Sequence, residues 1–206
     1  TPRNLFGFKD GTNNIKSEDG DAKLNEHLWV QKGDDSGADW MAGGTYFVVR
    51  KIHMFAEMWD NLRLIEQEQT FGRDKRYGAP LNVTAPTSGK DEFKPIDFKA
   101  KNKEGELEVP ADSHIAIVNP EQNKGRWMLR RGYNYTEGSD ALGRLSAGLF
   151  FIAFVRDPRT NFYPILDKMT QKDALSEYLQ HQARALFAIP AGIGQSDTMV
   201  GQALFS

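Results

Sequence analysis

Thr45-Tyr46-Phe47-Val48-Val49-Arg50-Lys51-Ile52 is the stretch that decides the fold. Its β-branched and aromatic residues alternate as those of a strand do. At Phe55 the period changes. Phe55, Met58, Trp59, Leu62 and Ile65 recur every three or four residues, opposite Glu57, Asp60, Arg63 and Glu66. That spacing predicts one amphipathic helix over 55–69. Working outward, 126–135 and 148–155 read as two further strands. Helices are predicted over 162–170 and 174–181, and a short last strand over 186–189, before Pro190. The order strand, helix, strand, strand, helix, strand places the chain in the α+β class. The implied architecture is a ferredoxin-like split βαβ unit, an antiparallel sheet with helices on one face. The uncovered face is then expected to be free for a large flat ligand.

On the N-terminal side, residues 1–43 are rich in Gly, Asp and Asn and read as an irregular segment. Residues 44–206 make up the folded domain, interrupted at about 72–110 by a Gly-, Pro- and Lys-rich insertion without sustained periodicity. Long insertions in compact domains are usually functional or mobile. Hydrophobic residues make up 39% of the chain and charged ones 26%, the balance of an ordinary globular protein able to bury a core. A net charge of −2 with no basic block argues against nucleic-acid binding, which needs a positive footprint. The absence of cysteine excludes disulfides, thiolate-ligated haem, iron–sulfur clusters and Cys-based zinc sites within these residues. No apolar run approaches the roughly 20 residues of a membrane span, and the longest, 147–155, reads as a buried strand. The opening Thr-Pro-Arg-Asn, in place of Met, reads as a cleaved or truncated start whose targeting signal has been lost.

Three segments carry candidate chemistry. There are four histidines. His27 and His53 read as surface or capping residues, and His181 as a residue near a helix end, where the dipole favours a cation. His114 differs, because it sits between Pro110-Ala111-Asp112-Ser113 and the apolar Ile115-Ala116-Ile117-Val118, closed by Asn119-Pro120. Asp112 or Ser113 can cap a short turn that projects the imidazole, although a satisfied core histidine fits the spacing equally. No second His lies within five residues, which disfavours zinc, whereas haem needs one protein ligand. Such a ligand donates its other nitrogen to an acceptor; Asp167 and Asp173 are both candidates.

The second segment is Gly7-Phe8-Lys9-Asp10-Gly11-Thr12-Asn13-Asn14. Alone it is a turn, but its glycines also let backbone pass close to a planar ligand with a carboxylate above it. The third, Met128-Leu129-Arg130-Arg131-Gly132-Tyr133-Asn134-Tyr135, puts adjacent arginines on opposite faces of a strand, so that one reaches inward.

Together the segments resemble a known family. Gly7-Phe8-Lys9-Asp10-Gly11 resembles the GxxDG motif of the dye-decolourising peroxidases. Asp112-Ser113-His114-Ile115 with Asn119-Pro120 is similar to their proximal-histidine segment, and Leu129-Arg130-Arg131-Gly132-Tyr133 to their distal-arginine segment. Gly72-Arg73 and Gly78-Ala79-Pro80 resemble a further stretch. The resemblance runs from Asn4 to the end, in order, and is nearest to the bacterial exported branch linked to iron uptake. It departs at Ala116, where that branch is expected to carry a basic residue.

The resemblance implies a fold of the dimeric α+β barrel superfamily type and haem b, iron protoporphyrin IX, held by His114 as metal ligand. Gly11, Thr12 and Arg130 are the further cofactor contacts. It implies catalysis by Asp10, as acid–base, and by Arg130, with hydrogen peroxide and small one-electron donors such as dyes as substrates. A carboxylate base loses its proton far below a histidine, at about 3.9 against 6.5 for the free side chains, so activity is expected to be highest in acid. Trp127, Tyr133 and Tyr135, beside Arg130, are candidates for passing electrons from bulky donors, against the simpler reading of sheet packing. The family has two ferredoxin-like halves and the resemblance covers the second. An N-terminal half or a second copy of the chain is therefore an expected partner, and an exported location is implied by the branch alone. The alternative function is haem handling, binding or iron release of the deferrochelatase kind, with peroxidase activity incidental.

Overall fold

The computed structural model describes every residue except Ser36, Ser196 and Ser206. In chain order the elements are α1 (Asp21–His27), β1 (Thr45–Met54), α2 (Ala56–Asp60), α3 (Leu64–Phe71), α4 (His114–Val118), β2 (Leu129–Ser139), β3 (Leu145–Val155), α5 (Pro158–Asn161), α6 (Tyr163–Lys172) and β4 (Leu179–Ile189). The sheet runs β2-β3-β1-β4 and is antiparallel throughout. That is the expected split βαβ order, with β1 and β3 at the centre.

Alternation along β1 decides what each face meets. Val48, Ile52 and Met54 are buried beneath the helices, with Ala153 and Val155 of β3 beside them. The opposite face carries Phe47, Phe154 and Phe187, stacked in a row at 4.9 and 6.1 Å. Phe150, Phe187 and Tyr133 on that face are exposed. β1 and β3 approach so closely at Gly148 that a Cβ there would lie 1.9 Å from the Ile52 carbonyl oxygen. Only glycine fits.

Two predicted helices differ from the structure. The helix expected over 55–69 is broken into α2 and α3 by Asn61, Leu62 and Arg63. Arg63 is extended, and its N–H donates to the Glu66 carboxylate at 2.9 Å, which starts a new helix. Gln67 Nε2 closes the old one by donating to the Trp59 carbonyl at 2.9 Å. The break turns Phe71 inward and leaves Met58 and Ile65 exposed, against the apolar face that the period suggests. The helix expected over 174–181 is one 3-10 turn, Ala174–Tyr178. From Leu179 onward, pairing with β1 wins over helical period, and β4 extends eleven residues where a four-residue strand was predicted. His181 therefore lies on a strand and not at a helix end. Partial burial and the Arg50 guanidinium, whose Nε donates to its Nδ1 at 3.1 Å, push it down to about 4. His27 is likewise no surface residue; it is 7% exposed, and burial lowers its pKa.

The irregular N-terminal segment joins the core. Phe6 stacks on Trp59 at 4.5 Å and Phe8 on Phe71 at 4.1 Å, while the Trp59 indole N–H donates to the Phe6 carbonyl. The crossover from α3 to β2 is anchored too. Val109, Ile115 and Ala116 form a small core with Leu81, Ile96 and Phe98. Ala116, where a basic residue was expected, is spent on this packing.

Trp59 is fully buried and touches Phe6, Phe8, Phe71 and Tyr178. Trp59→Ala is expected to cost about 3–5 kcal/mol, read by urea denaturation. It should also expose residues 1–13 to proteolysis before the sheet unfolds; a smaller loss with the segment still protected would mean that the aromatic cluster is not its anchor.

Candidate active site

An open hollow lies between the sheet and the helices. Its walls are apolar: Ile52, Met54, Leu149 and Phe151 from the sheet, and Phe162, Ile165, Leu166 and Met169 from the helix side. The cavity is thus on the helix-covered side, not on the free face where the sequence suggested a flat ligand would sit. Asn4 and residues 9–13, with Ile96 of the crossover, also line the cavity.

His114, Asp10, Gly11, Thr12 and Arg130 all line this one cavity. His114 is the first residue of α4. Ser113 occupies the capping position, but its hydroxyl donates back to the Pro110 carbonyl at 2.6 Å instead of capping the helix. Of the two acids considered for His114, Asp173 is the partner. Its Oδ2 lies 2.7 Å from Nδ1, and its carboxylate is 1% exposed. Asp167 is exposed. The other oxygen of Asp173 accepts from the Leu175 N–H at 2.9 Å, so the acid is fixed before it fixes the imidazole. Bonding at Nδ1 leaves Nε2 as the nitrogen available to a ligand in the cavity.

The loop before β2's cavity face is joined to the strand by side chains that copy a β-ladder. Asn14 accepts from the Arg130 N–H at 2.9 Å and donates to the Arg130 carbonyl at 2.8 Å. The Arg130 guanidinium donates to the Asn13 carbonyl at 2.9 Å. Asp10 lies over Gly132, where an added Cβ would stand 3.6 Å from the carboxylate. Gly11 has φ +97°, a conformation costly to other residues. The Thr12 hydroxyl is committed elsewhere, donating to Glu92 at 2.8 Å. Arg131, Tyr133 and Tyr135 alternate onto the far face of the sheet, as expected for a strand. Trp127 does line the cavity, with the Lys23 ammonium 3.7 Å above its ring.

Three residues of the site were not among the sequence's catalytic or binding candidates. Arg73 and Arg126 line the cavity, and Glu92 lies buried behind it. Arg73 is 7% exposed, and burial lowers it to about 10. Gly72-Arg73 stood out only as part of a resembling stretch; Glu92 has no local signal, because its partners are about eighty residues away.

Residues 1–194 match the sequence profile of the C-terminal domain of Dyp-type peroxidases. The chain belongs to that family. It is 38% identical over 192 residues to the dye-decolorizing peroxidase of Thermobifida fusca, covering 93% of this chain and 43% of the relative. It is 36% identical over 206 residues to the deferrochelatase of Escherichia coli K12, covering 99% of this chain and 46% of the relative. Ferric DtpA from Streptomyces lividans superposes with a TM-score of 0.89 at 39% identity, covering 98% of this chain and 52% of DtpA. The chain therefore spans about half the length of the relatives it matches.

Removing the carboxylate behind His114 leaves the imidazole Nδ1, partly buried, and the buried Leu175 N–H unpartnered. Asp173→Ala is expected to destabilise the fold by roughly 1–3 kcal/mol. Nitrogen NMR of the imidazole should then show loss of the single fixed tautomer. An unchanged His114 spectrum would show that Asp173 does not orient the ring.

Proposed function

We propose that this chain is the haem-holding half of a peroxidase that reduces hydrogen peroxide and oxidises dyes or other one-electron donors. The observation that carries this reading is the convergence of His114, Asp10 and Arg130 on one apolar cavity, with a buried carboxylate behind His114. These residues fit a haem. The walls suit a flat apolar macrocycle, and a histidine bonded at Nδ1 presents Nε2 to a metal, the arrangement that raises ligand basicity. Arg73, Arg126 and Arg130 offer cations to the carboxylates at the rim of a b-type haem. His114 would hold the iron, while Gly11, Thr12 and Arg130 would border the ring. When bound, the haem supplies the electrons that break the O–O bond.

The protein's own share is proton handling and charge stabilisation. Asp10 takes the proton from one peroxide oxygen and returns it to the departing one. Arg130 meets the negative charge that builds on the separating oxygens. Apolar walls keep bulk water from competing for either group. In total, two electrons from one-electron donors and two protons would convert each peroxide to two waters. The deferrochelatase name of a relative favours a second reading, haem handling with incidental peroxidase activity. The open sheet face, with Phe150, Phe187 and Tyr133 exposed, is the surface we assign to a covering partner. That partner is an N-terminal half or a second copy. Export rests on the resemblance; among the described residues no helix is long and apolar enough to cross a membrane.

Two variants separate these readings when the chain is titrated with haemin. His114→Ala should abolish the histidine-ligated ferric spectrum that the parent chain gives. Asp10→Asn should keep that spectrum and lose about 100- to 10,000-fold in peroxide turnover. Full turnover in Asp10→Asn would remove Asp10 as the proton carrier, and haem uptake with negligible turnover in the parent chain would leave haem handling as the better reading. Uptake only after the N-terminal half of a relative is supplied would assign part of the cavity wall to that half. Turnover should peak in the acidic range, as suits a carboxylate base; a maximum above neutrality would count against Asp10.

A further inference from the structure

We propose that Glu92 is the residue that positions Asp10: from the crossover it grips the residues on both sides of Asp10 and so aims a carboxylate it never touches. This rests on Asp10 being the proton carrier. Among the described residues no group donates a hydrogen bond to the Asp10 carboxylate. That freedom suits a group that must gain and lose a proton, because strong donors on the carboxylate itself would hold it ionised. Its direction must then come from the neighbouring residues.

Glu92 supplies it. The side chain is 3% exposed, and each oxygen holds one flank of Asp10. Oε1 accepts from the Lys9 ammonium at 2.9 Å, and Oε2 from the Thr12 hydroxyl at 2.8 Å. Lys9 also donates to the Gly89 carbonyl at 3.1 Å, at the start of the 3-10 turn that carries Glu92. Glu92 is itself anchored. Arg73 donates from Nη1 to the Glu92 carbonyl at 3.0 Å and to the Gly78 carbonyl at 2.7 Å. Gly78, at φ +79°, lets the Lys9 stem pass where a Cβ would stand 2.7 Å from its Cδ. Arg3 completes the seam by donating to the Gly7, Lys75 and Arg76 carbonyls at 2.6, 2.7 and 2.8 Å. A side chain held through its neighbours is fixed in place but left chemically free.

The clamp is suited to acid. Burial works to raise the Glu92 pKa, but hydrogen bonds from Lys9 and Thr12 and the Lys9 charge hold the carboxyl below its ordinary value. Its contribution is fully present above its ordinary 4.5 and is lost only as pH falls through the lowered folded-state value. Lys9, with Arg73 behind the backbone, is the charged side chain facing it.

Glu92→Gln and Thr12→Val in this chain test the idea, with amide hydrogen exchange measured without haem and peroxide kinetics measured with it. In Glu92→Gln, exchange at residues 8–13 should rise about tenfold or more while β1 and β3 stay protected. The kcat/KM for peroxide should fall about 10- to 100-fold, with haem affinity little changed. Thr12→Val should move both readouts the same way by less. Unchanged exchange and kinetics in both variants would overturn the proposal. So would exchange that rises equally across β1 and β3, because Glu92 would then merely hold the fold. Intact turnover in Asp10→Asn sinks the base assignment beneath the idea; a defect there with none in Glu92→Gln sinks the clamp alone.

Discussion

The stacking of Phe6 on Trp59 and of Phe8 on Phe71 is the contact on which everything else in the site depends. Residues 2–10 close only a small hairpin, with the Asn4 N–H on the Phe8 carbonyl and the Asp10 N–H on the Pro2 carbonyl, both at 2.9 Å, too little to be stable alone. They gain a fixed place by inserting two phenylalanines, one on each side of Gly7, among aromatic rings from α2 and α3. Asp10 follows two residues after the second ring. A carboxylate meant for a cavity is thus delivered by hydrophobic burial and then trimmed into place by polar contacts. The energies are unequal: burying large aromatic rings is worth several kcal/mol, whereas one hydrogen bond contributes about 1. Stacking sets where the loop lies; Glu92, Asn14 and Arg130 set only its details.

The same division recurs at His114. α4 is one turn long and too short to be stable alone. It is held by the small core around Val109 and Ile115, by α6 packing alongside, and by the Asn123 amide, which donates to the Ile117 and Asn119 carbonyls. The Asp173–His114 bond is then made between two elements already fixed, 59 residues apart. A bond made this way costs little ordering entropy when it forms, because packing has already ordered both partners. It can therefore select a tautomer reliably, which a bond between two mobile side chains would not.

Legibility in the sequence followed the range of the interactions. β1 was readable because alternation is a property of eight adjacent residues, and the three motif segments were readable because each is contiguous. Their convergence on one cavity came only through family resemblance; no spacing rule joins Asp10 to Arg130. The helix over 55–69 breaks although its period is continuous, and the break shows only in side-chain contacts, the Gln67 amide folding back onto the Trp59 carbonyl and Glu66 taking the Arg63 N–H. The stretch 174–181 was misread because helix period and strand alternation both fit so few residues, and β1's need for a partner decided between them. Glu92 was unreadable altogether. An acidic residue in a polar insertion looks solvated until partners about eighty residues earlier are seen to enclose it.

The three aromatics beside Arg130 show how geometry decides what proximity in sequence leaves open. Tyr133 and Tyr135 point to the face of the sheet away from the cavity, while Trp127 lines it. An electron leaving Tyr133 for the cavity would have to cross the sheet. If a second layer covers the open face, both tyrosines also lose contact with donors in solvent. Trp127 is better placed but carries the Lys23 ammonium 3.7 Å above its ring. That cation favours the electron-rich neutral indole and so opposes the positive charge that oxidation would leave there. Each residue thus fails a different requirement, position for the tyrosines and electrostatics for the tryptophan. In the proposed peroxidase, small donors reaching the mouth of the cavity are consequently better served than bulky ones relying on these rings.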